Sequence, residues 1–145
     1  RPGGGSLGWS YPASLGAKCA AGDRPVFCFT GDGGLWYHLT EMETQLRYGI
    51  KTVTVVNNNG AYGQGSGARR ALFDGKPFDH GNYVFRKDIS FAAIAKSMGA
   101  FAVKVEKPGE IGRALRMAMD ADAPALVEVI TDLDIEPPAP WRPVK

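Results

Sequence analysis

Residues 26–60 read VFCFTGDGGLWYHLTEMETQLRYGIKTVTVVNNNG, and the fold turns on how that stretch is divided. Val26 to Thr30 is a continuous apolar run that stops at Gly31-Asp32-Gly33. A short apolar run bounded by turn residues predicts a strand buried on both faces, the condition of a parallel sheet. Thr52 to Val56 is a second run, rich in β-branched residues, and it stops at Asn57-Asn58-Asn59-Gly60. Between the two, Leu35 to Tyr48 places Leu35, Leu39, Met42 and Leu46 on one helical face, and Gly49 supplies a stop. Strand, helix and strand in succession make a parallel crossover unit.

The pattern continues on both sides. Upstream, Tyr11 to Ala21 reads as a short apolar helix with Pro12 in its first turn. Downstream, Ser90 to Met98 predicts a helix capped by Ser90, with Phe91, Ile94, Ala95 and Met98 on one face. Phe101 to Val105 and Ala125 to Ile130 are two further strands. They flank a helix over Gly109 to Ala121 that uses Ile111, Leu115 and Ala118. The fold class is therefore α/β, a parallel sheet with helices on both faces. Residues 61–88 show no period and are long for a bare connection, which favours a functional loop. The domain is read as residues 1–131. Residues 132–145, with Pro137, Pro138, Pro140 and Pro143, form a proline-rich tail expected to be an extended arm.

Composition narrows the partners. A chain of 145 residues suits one domain with a real core. The net charge of +2 and the scattered basic residues argue against a nucleic acid or a membrane partner, and Arg69-Arg70 reads as a solvated loop. Without a long apolar run or a leader, a cytoplasmic location is expected. Cys19 and Cys28 are read as buried small hydrophobes in a reducing compartment. Most of the 19 glycines gather in three places, at residues 3–8, 31–34 and 60–67, flanking apolar runs, so these are read as ligand loops. The start, Arg1-Pro2-Gly3-Gly4-Gly5, lacks an initiator methionine and reads as the middle of a longer protein.

Both polar motifs fall at the carboxyl ends of strands, where parallel sheets bind ligands. Asp32 offers a carboxylate beside free backbone N–H groups, which suits a hard cation next to a phosphate. Asn59, on the neighbouring strand end, offers a neutral amide oxygen. One carboxylate, one amide and one backbone carbonyl match what Mg2+ takes from a protein when phosphate oxygens complete its shell.

Gly31-Asp32-Gly33, 24 intervening residues and then Asn58-Asn59 resemble the paired motif of thiamine diphosphate-dependent enzymes. The lead-in GGGSLGWSYPASLGAK (3–18) and the loop NNNGAYG (57–63) resemble that family's segments too, so the resemblance spans nearly the whole chain. It is strongest to the diphosphate-binding, C-terminal domain of the acetolactate synthase and benzoylformate decarboxylase branch. It implies a Rossmann-like three-layer sandwich that binds thiamine diphosphate and Mg2+. By position, it implies that Asp32 and Asn59 hold the metal through their side chains and Ala61 through its carbonyl. Gly31, Gly33 and Gly34 would shape the diphosphate turn, with N–H groups from Gly33 and Gly34. Many relatives carry Ser at the position of Gly34, whose hydroxyl is lacking here. Gly60, Tyr62 and Gly63 would line the diphosphate pocket. Leu7 would wedge beneath the cofactor, and the Gly5 carbonyl would accept from its pyrimidine amino group.

The same resemblance assigns the reaction to a 2-oxo acid decarboxylase or carboligase. No catalytic residue is assigned in this chain, because the family's activating Glu lies in a separate pyrimidine-binding domain. The expected partners are that domain or subunit, a 2-oxo acid and other copies of the chain in a homo-oligomer. Two alternatives stand beside this reading: a separately encoded subunit of a two-chain decarboxylase, and a non-catalytic module that binds metal–diphosphate or serves assembly. The stretch GQGSGARRALFDGKPFDH (63–80) departs from the continuation found in true acetolactate synthases, which weakens the case for that product.

Ordinary explanations weigh against several single residues. Asp and Asn are common at turns, and only their spacing and the lead-in lift Asp32 and Asn59 above that role. Gly3-x-Gly5-x-x-Gly8 matches the dinucleotide fingerprint in form, but no strand precedes it. His38 is read as packing or surface, and His80 as an exposed loop residue. Trp36 and Met42 are read as core or subunit contacts, and Glu41 and Glu43 as a solvated face or an interface. Trp9 and Tyr11 are expected to pack against a further domain, and Trp141 to anchor the tail.

Overall fold

The computed structural model describes residues 5–63 and 83–135. Helix α1 (Ser10–Ala21) leads to β1 (Phe27–Gly31), then α2 (Asp32–Trp36), α3 (Glu41–Arg47) and β2 (Val53–Asn58). After the second described segment begins come α4 (Phe91–Met98), β3 (Phe101–Val105), a 3₁₀ turn (Pro108–Glu110), α5 (Ile111–Asp120) and β4 (Ala125–Ile130). The four strands form one parallel sheet in the order β1-β2-β4-β3.

Alternation along the strands sorts the core into two layers. Cys28, Val56, Leu126 and Ala102 face one side, where Tyr11, Leu35, Met42, Phe91 and Ala95 of α1 to α4 cover them. Val53, Val127 and Val105 face the other side, beneath Ala114 and Ala118 of α5. Helices therefore cover both faces, and the α/β parallel fold expected from the sequence is the one observed. Ser90 caps α4 as expected: its hydroxyl accepts from Ala93 N at 3.2 Å.

Some expectations need correction. The helix expected over Leu35 to Tyr48 is two helices, α2 and α3, and α2 begins at Asp32, three residues early. Across the junction the N–H groups of His38, Glu41, Met42 and Glu43 bond three residues back. This tighter 3₁₀ spacing joins the helices and still keeps Leu35 and Met42 buried. β1 is not buried on both faces: Cys28 and Thr30 are buried, while Phe27 and Phe29 are exposed, because α5 packs at the far side of the sheet. Cys19 is exposed on α1, and only Cys28 is a buried thiol. Tyr11 is buried by the chain's own core rather than awaiting another domain, whereas Trp9 is exposed. Trp36 packs on Phe91 with ring centroids 4.7 Å apart, a core contact. His80, Arg69-Arg70, Trp141 and the expected prolines of the tail lie outside the described residues.

Candidate functional site

Register places β1 and β2 side by side, with Gly31 opposite Asn57, so both polar turns leave the sheet at the same end. Asp32 opens α2 and is 3% exposed. Its Oδ1 accepts from Gly33 N at 2.8 Å, and its Oδ2 accepts from Gly60 N at 2.7 Å and Ala61 N at 3.1 Å. The carboxylate thus clamps the second turn to the first. Burial pushes the Asp32 carboxyl above the ordinary carboxylate range, and the N–H donors of Gly33, Gly60 and Ala61 offset part of that rise. Among the described residues its hydrogen-bond donors are all backbone groups.

Asn59 meets the same point. Its Oδ1 accepts from Ala61 N at 3.1 Å, so that one N–H is shared between the Asn59 amide oxygen and the Asp32 carboxylate. The Ala61 carbonyl accepts from Gly63 N at 2.9 Å. Gly60 carries the turn with φ +71°, a conformation that disfavours other residues. Two further glycines are required by close approach. A Cβ at Gly33 would stand 2.7 Å from the Tyr62 ring, and one at Gly63 would stand 2.5 Å from Asn59 Nδ2. The turn is narrow enough that any side chain at either position would displace a neighbour.

The lead-in loop comes to the same place. An ideal Cβ on Gly34 would lie 3.9 Å from Leu7 Cδ1, and one on Gly8 would lie 2.7 Å from His38 and Tyr37. Leu7 is 47% exposed although it is apolar, and Gly5 is exposed beside it. The structure therefore brings Leu7, the Gly31–Gly34 turn and the Asn59–Gly63 turn into one locality. The N–H of Gly33 is engaged by Asp32, while Gly34 lies in the first turn of α2, where backbone donors lack helical acceptors.

Several supporting residues carried no sequence signal. The chain returns at residues 83–85 to pair with the second turn: Ala61 bridges to Val84, Tyr62 N donates to Tyr83 O at 2.9 Å, and Phe85 N donates to Gly60 O at 2.7 Å. Tyr62 stacks edge-on against Phe85 with centroids 4.7 Å apart. At the other side, Thr131 ties the end of β4 to β2 through Asn58 O (2.9 Å) and Asn57 Oδ1 (2.7 Å). A cleft of about 630 Å3 opens there, lined in part by Asn59, Gly60, Arg86, Lys104 and Asp132. Glu128 is fully buried under the same turn. A glutamate inside the apolar run ALVEVI was the available clue.

The donor set fits a divalent cation held beside a phosphate group. A buried carboxylate with no side-chain cation against it among the described residues, next to an amide oxygen and a backbone carbonyl, supplies hard oxygen ligands and little charge. No group of three or more His, Cys, Asp or Glu side chains gathers among the described residues. A cation here would rely on one carboxylate and neutral oxygens.

Comparison with known proteins gives a consistent picture. The family described as "Thiamine pyrophosphate enzyme, C-terminal TPP binding domain" matches residues 1–129. A probable acetolactate synthase large subunit of Methanococcus aeolicus is 34% identical over 128 residues, covering 88% of this chain and 21% of that protein. A benzoylformate decarboxylase of Pseudomonas aeruginosa is 32% identical over 136 residues, covering 94% of this chain and 25% of that protein. Among solved structures, a thiamine diphosphate-dependent 4-hydroxybenzoylformate decarboxylase of Rhodococcus jostii RHA1 superposes with a TM-score of 0.76 at 34% identity. It covers 88% of this chain and 24% of that one. The chain thus spans a quarter or less of the length of these relatives.

Proposed function

The chain belongs to the thiamine pyrophosphate enzymes, as their C-terminal TPP-binding domain, and we propose that Asp32, Asn59 and the Ala61 carbonyl hold Mg2+ against the diphosphate of that cofactor. The observation that carries this reading is the shared N–H of Ala61, which draws the Asp32 carboxylate and the Asn59 amide oxygen to one point. Gly31, Gly33, Gly34, Gly60, Tyr62 and Gly63 border the diphosphate in this reading. The exposed Leu7 supports the cofactor from below, and Gly5 meets its pyrimidine through the backbone carbonyl. Bound thiamine diphosphate supplies the carbon nucleophile for decarboxylation or carboligation of a 2-oxo acid. The residues of this chain bind and orient; Asp32 also fixes the second turn through Gly60 and Ala61.

The reading extends to the whole protein. Residues 1–131 act as the diphosphate-binding domain, and residues 132–145 as a tail. A pyrimidine-binding domain, in the same polypeptide or in a partner chain, supplies the activating Glu, and without it this chain does not turn over. Other copies complete a cytoplasmic homo-oligomer. The substrate class is a 2-oxo acid, as the names of the benzoylformate and 4-hydroxybenzoylformate decarboxylases suggest by similarity.

The test is thermal unfolding of the intact protein with and without thiamine diphosphate and Mg2+. Ligand at a hundred times its Kd stabilises the folded state by about 2.7 kcal/mol. The parent is expected to gain on that scale, and Asp32→Ala is expected to lose most of the gain. If Asp32→Ala gains as much as the parent, the metal assignment is wrong.

A further inference from the structure

Beneath the Asn58–Ala61 turn lies a carboxylate that the proposed site does not use. Glu128 sits in the middle of β4, opposite Val56 of β2, and is 0% exposed. A carboxylate so placed is costly unless donors satisfy both oxygens. Oε1 accepts from Asn58 Nδ2 at 2.7 Å. Oε2 accepts from Ser90 Oγ at 2.6 Å and from Ala92 N at 2.9 Å. The nearest cation in register is Lys104 on β3, which is exposed and pairs instead with Glu106 at 2.7 Å.

The bond to Asn58 decides which way that amide faces. A carboxylate only accepts, so the NH2 group of Asn58 must turn toward Glu128 and Oδ1 must turn away. Oδ1 then accepts from Gly60 N at 3.1 Å, the same N–H that donates to Asp32 Oδ2 at 2.7 Å. A flipped Asn58 would point its NH2 group at the Gly60 N–H, donor against donor. The order runs from Glu128 through Asn58 to Gly60 and Asp32, from the sheet interior to the proposed metal site.

Resting on the proposed function, we infer that Glu128 is a positioning residue for the cofactor site. It locks the Asn58 amide and so sets the turn that carries Gly60, Ala61 and the Asn59 side chain. Its second oxygen has a separate task, anchoring the start of α4 through Ser90 and Ala92. The two oxygens allow the two roles to be separated. Glu128→Gln can present its own NH2 group to Asn58 and removes the rule that fixes the flip. Asn58→Ala removes the relay. Ser90→Ala weakens only the α4 anchor.

The experiment uses the intact protein and two readouts: Mg2+ affinity by equilibrium titration at saturating thiamine diphosphate, and hydrogen exchange of the Gly60 amide in metal-free protein. Glu128→Gln and Asn58→Ala are each expected to weaken Mg2+ binding about tenfold, the scale of losing a group that orients a metal ligand. Both are expected to speed Gly60 exchange by a similar factor. The double variant is expected to be no worse than either single one. Ser90→Ala is expected to lower the unfolding midpoint and leave Mg2+ affinity within twofold of the parent, which a merely structural role for Glu128 does not predict. Parent-like Mg2+ affinity and Gly60 exchange in Glu128→Gln overturn the inference, as does full additivity in the double variant. If Glu128→Gln does not fold, Asn58→Ala decides by the same two measurements. A parent that binds no Mg2+ overturns the proposed function, and with it the cofactor role of Glu128. Gly60 exchange still reports in that case whether the turn is held from Glu128.

Discussion

On the face of the sheet beneath α1 to α4, the buried set includes Tyr11, Gln45, Thr54 and Glu128, whereas beneath α5 it is Val53, Val105, Ala114, Ala118, Ala125 and Val127. The first face mixes apolar packing with polar networks. The Tyr11 hydroxyl donates to Gln45 Oε1 at 2.7 Å, and Gln45 Nε2 donates onward to Thr52 Oγ1 at 2.7 Å and Ile50 O at 3.1 Å. The buried cluster of the second face is, among the described residues, packed apolar side chains. The difference teaches where positional information is stored. Apolar packing tolerates small slides of one layer over another, while a buried polar group is satisfied in few geometries. The turns that carry Asp32 and Asn59 rest on the polar face. The α5 face supplies stability without aiming anything.

This contrast breaks most readily at Tyr11. Tyr11→Phe keeps the ring and removes the donor, leaving Gln45 Oε1 buried without its 2.7 Å partner. The expected cost is about 1–3 kcal/mol, read as a drop in the urea midpoint. A loss below about 0.5 kcal/mol, the scale of a surface change, would show that the polar network is ornamental and that the two faces are held in the same way. Burial, the largest cause, also pushes the Tyr11 phenol above the ordinary range, and the nearby Glu41 adds to the rise. Its neutral form is therefore the stabilising one. That contribution is intact below the ordinary tyrosine pKa of about 10 and is lost as the pH climbs through the raised value.

Much of this architecture was legible in the sequence, and the reasons differ by element. β3 and β4 begin and end where the runs FAVKV and ALVEVI do, because short runs of this kind are the signal of strands in a covered parallel sheet. The locality of the site was legible because Asp32 and Asn59 lie at the ends of adjacent strands, so sequence spacing becomes spatial proximity. What could not be read was tertiary coverage. The run VFCFT gives no sign that α5 would pack at the far side of the sheet and leave Phe27 and Phe29 bare. Cys19 carries no mark distinguishing it from Cys28. Glu128 is a charged residue whose three donors come from distant segments, 36 to 70 residues away in sequence.

Thr54 sharpens the comparison with the opposite sign. It lies on the polar face, in register with Cys28 and Leu126, and its hydroxyl is buried without a hydrogen-bond partner among the described residues. Thr54→Val exchanges that hydroxyl for a methyl group of the same shape and favours a strand. The expected result is a gain of up to about 1 kcal/mol in unfolding free energy. A clear loss would mean that the hydroxyl is satisfied after all, and that every buried polar group on this face belongs to a network.

The smallest effect is expected at Phe29, on the other face. Its ring is 72% exposed and lies on the edge strand, opposite Val55. Phe29→Thr gives up little burial and replaces an aromatic residue with a β-branched one that also suits a strand, so the change in stability is expected to stay within about 0.5 kcal/mol. Denaturant unfolding of the 145-residue chain checks this directly. The same substitution in this chain assembled with the proposed pyrimidine-binding domain asks a different question. If it costs several times more there, the bare part of the α5 face is covered by residues outside this chain. The contrast between the faces would then be one between a side completed locally and a side completed from elsewhere. If the cost stays small in both, α5 marks the true limit of packing on that face, and Phe27 and Phe29 remain in water.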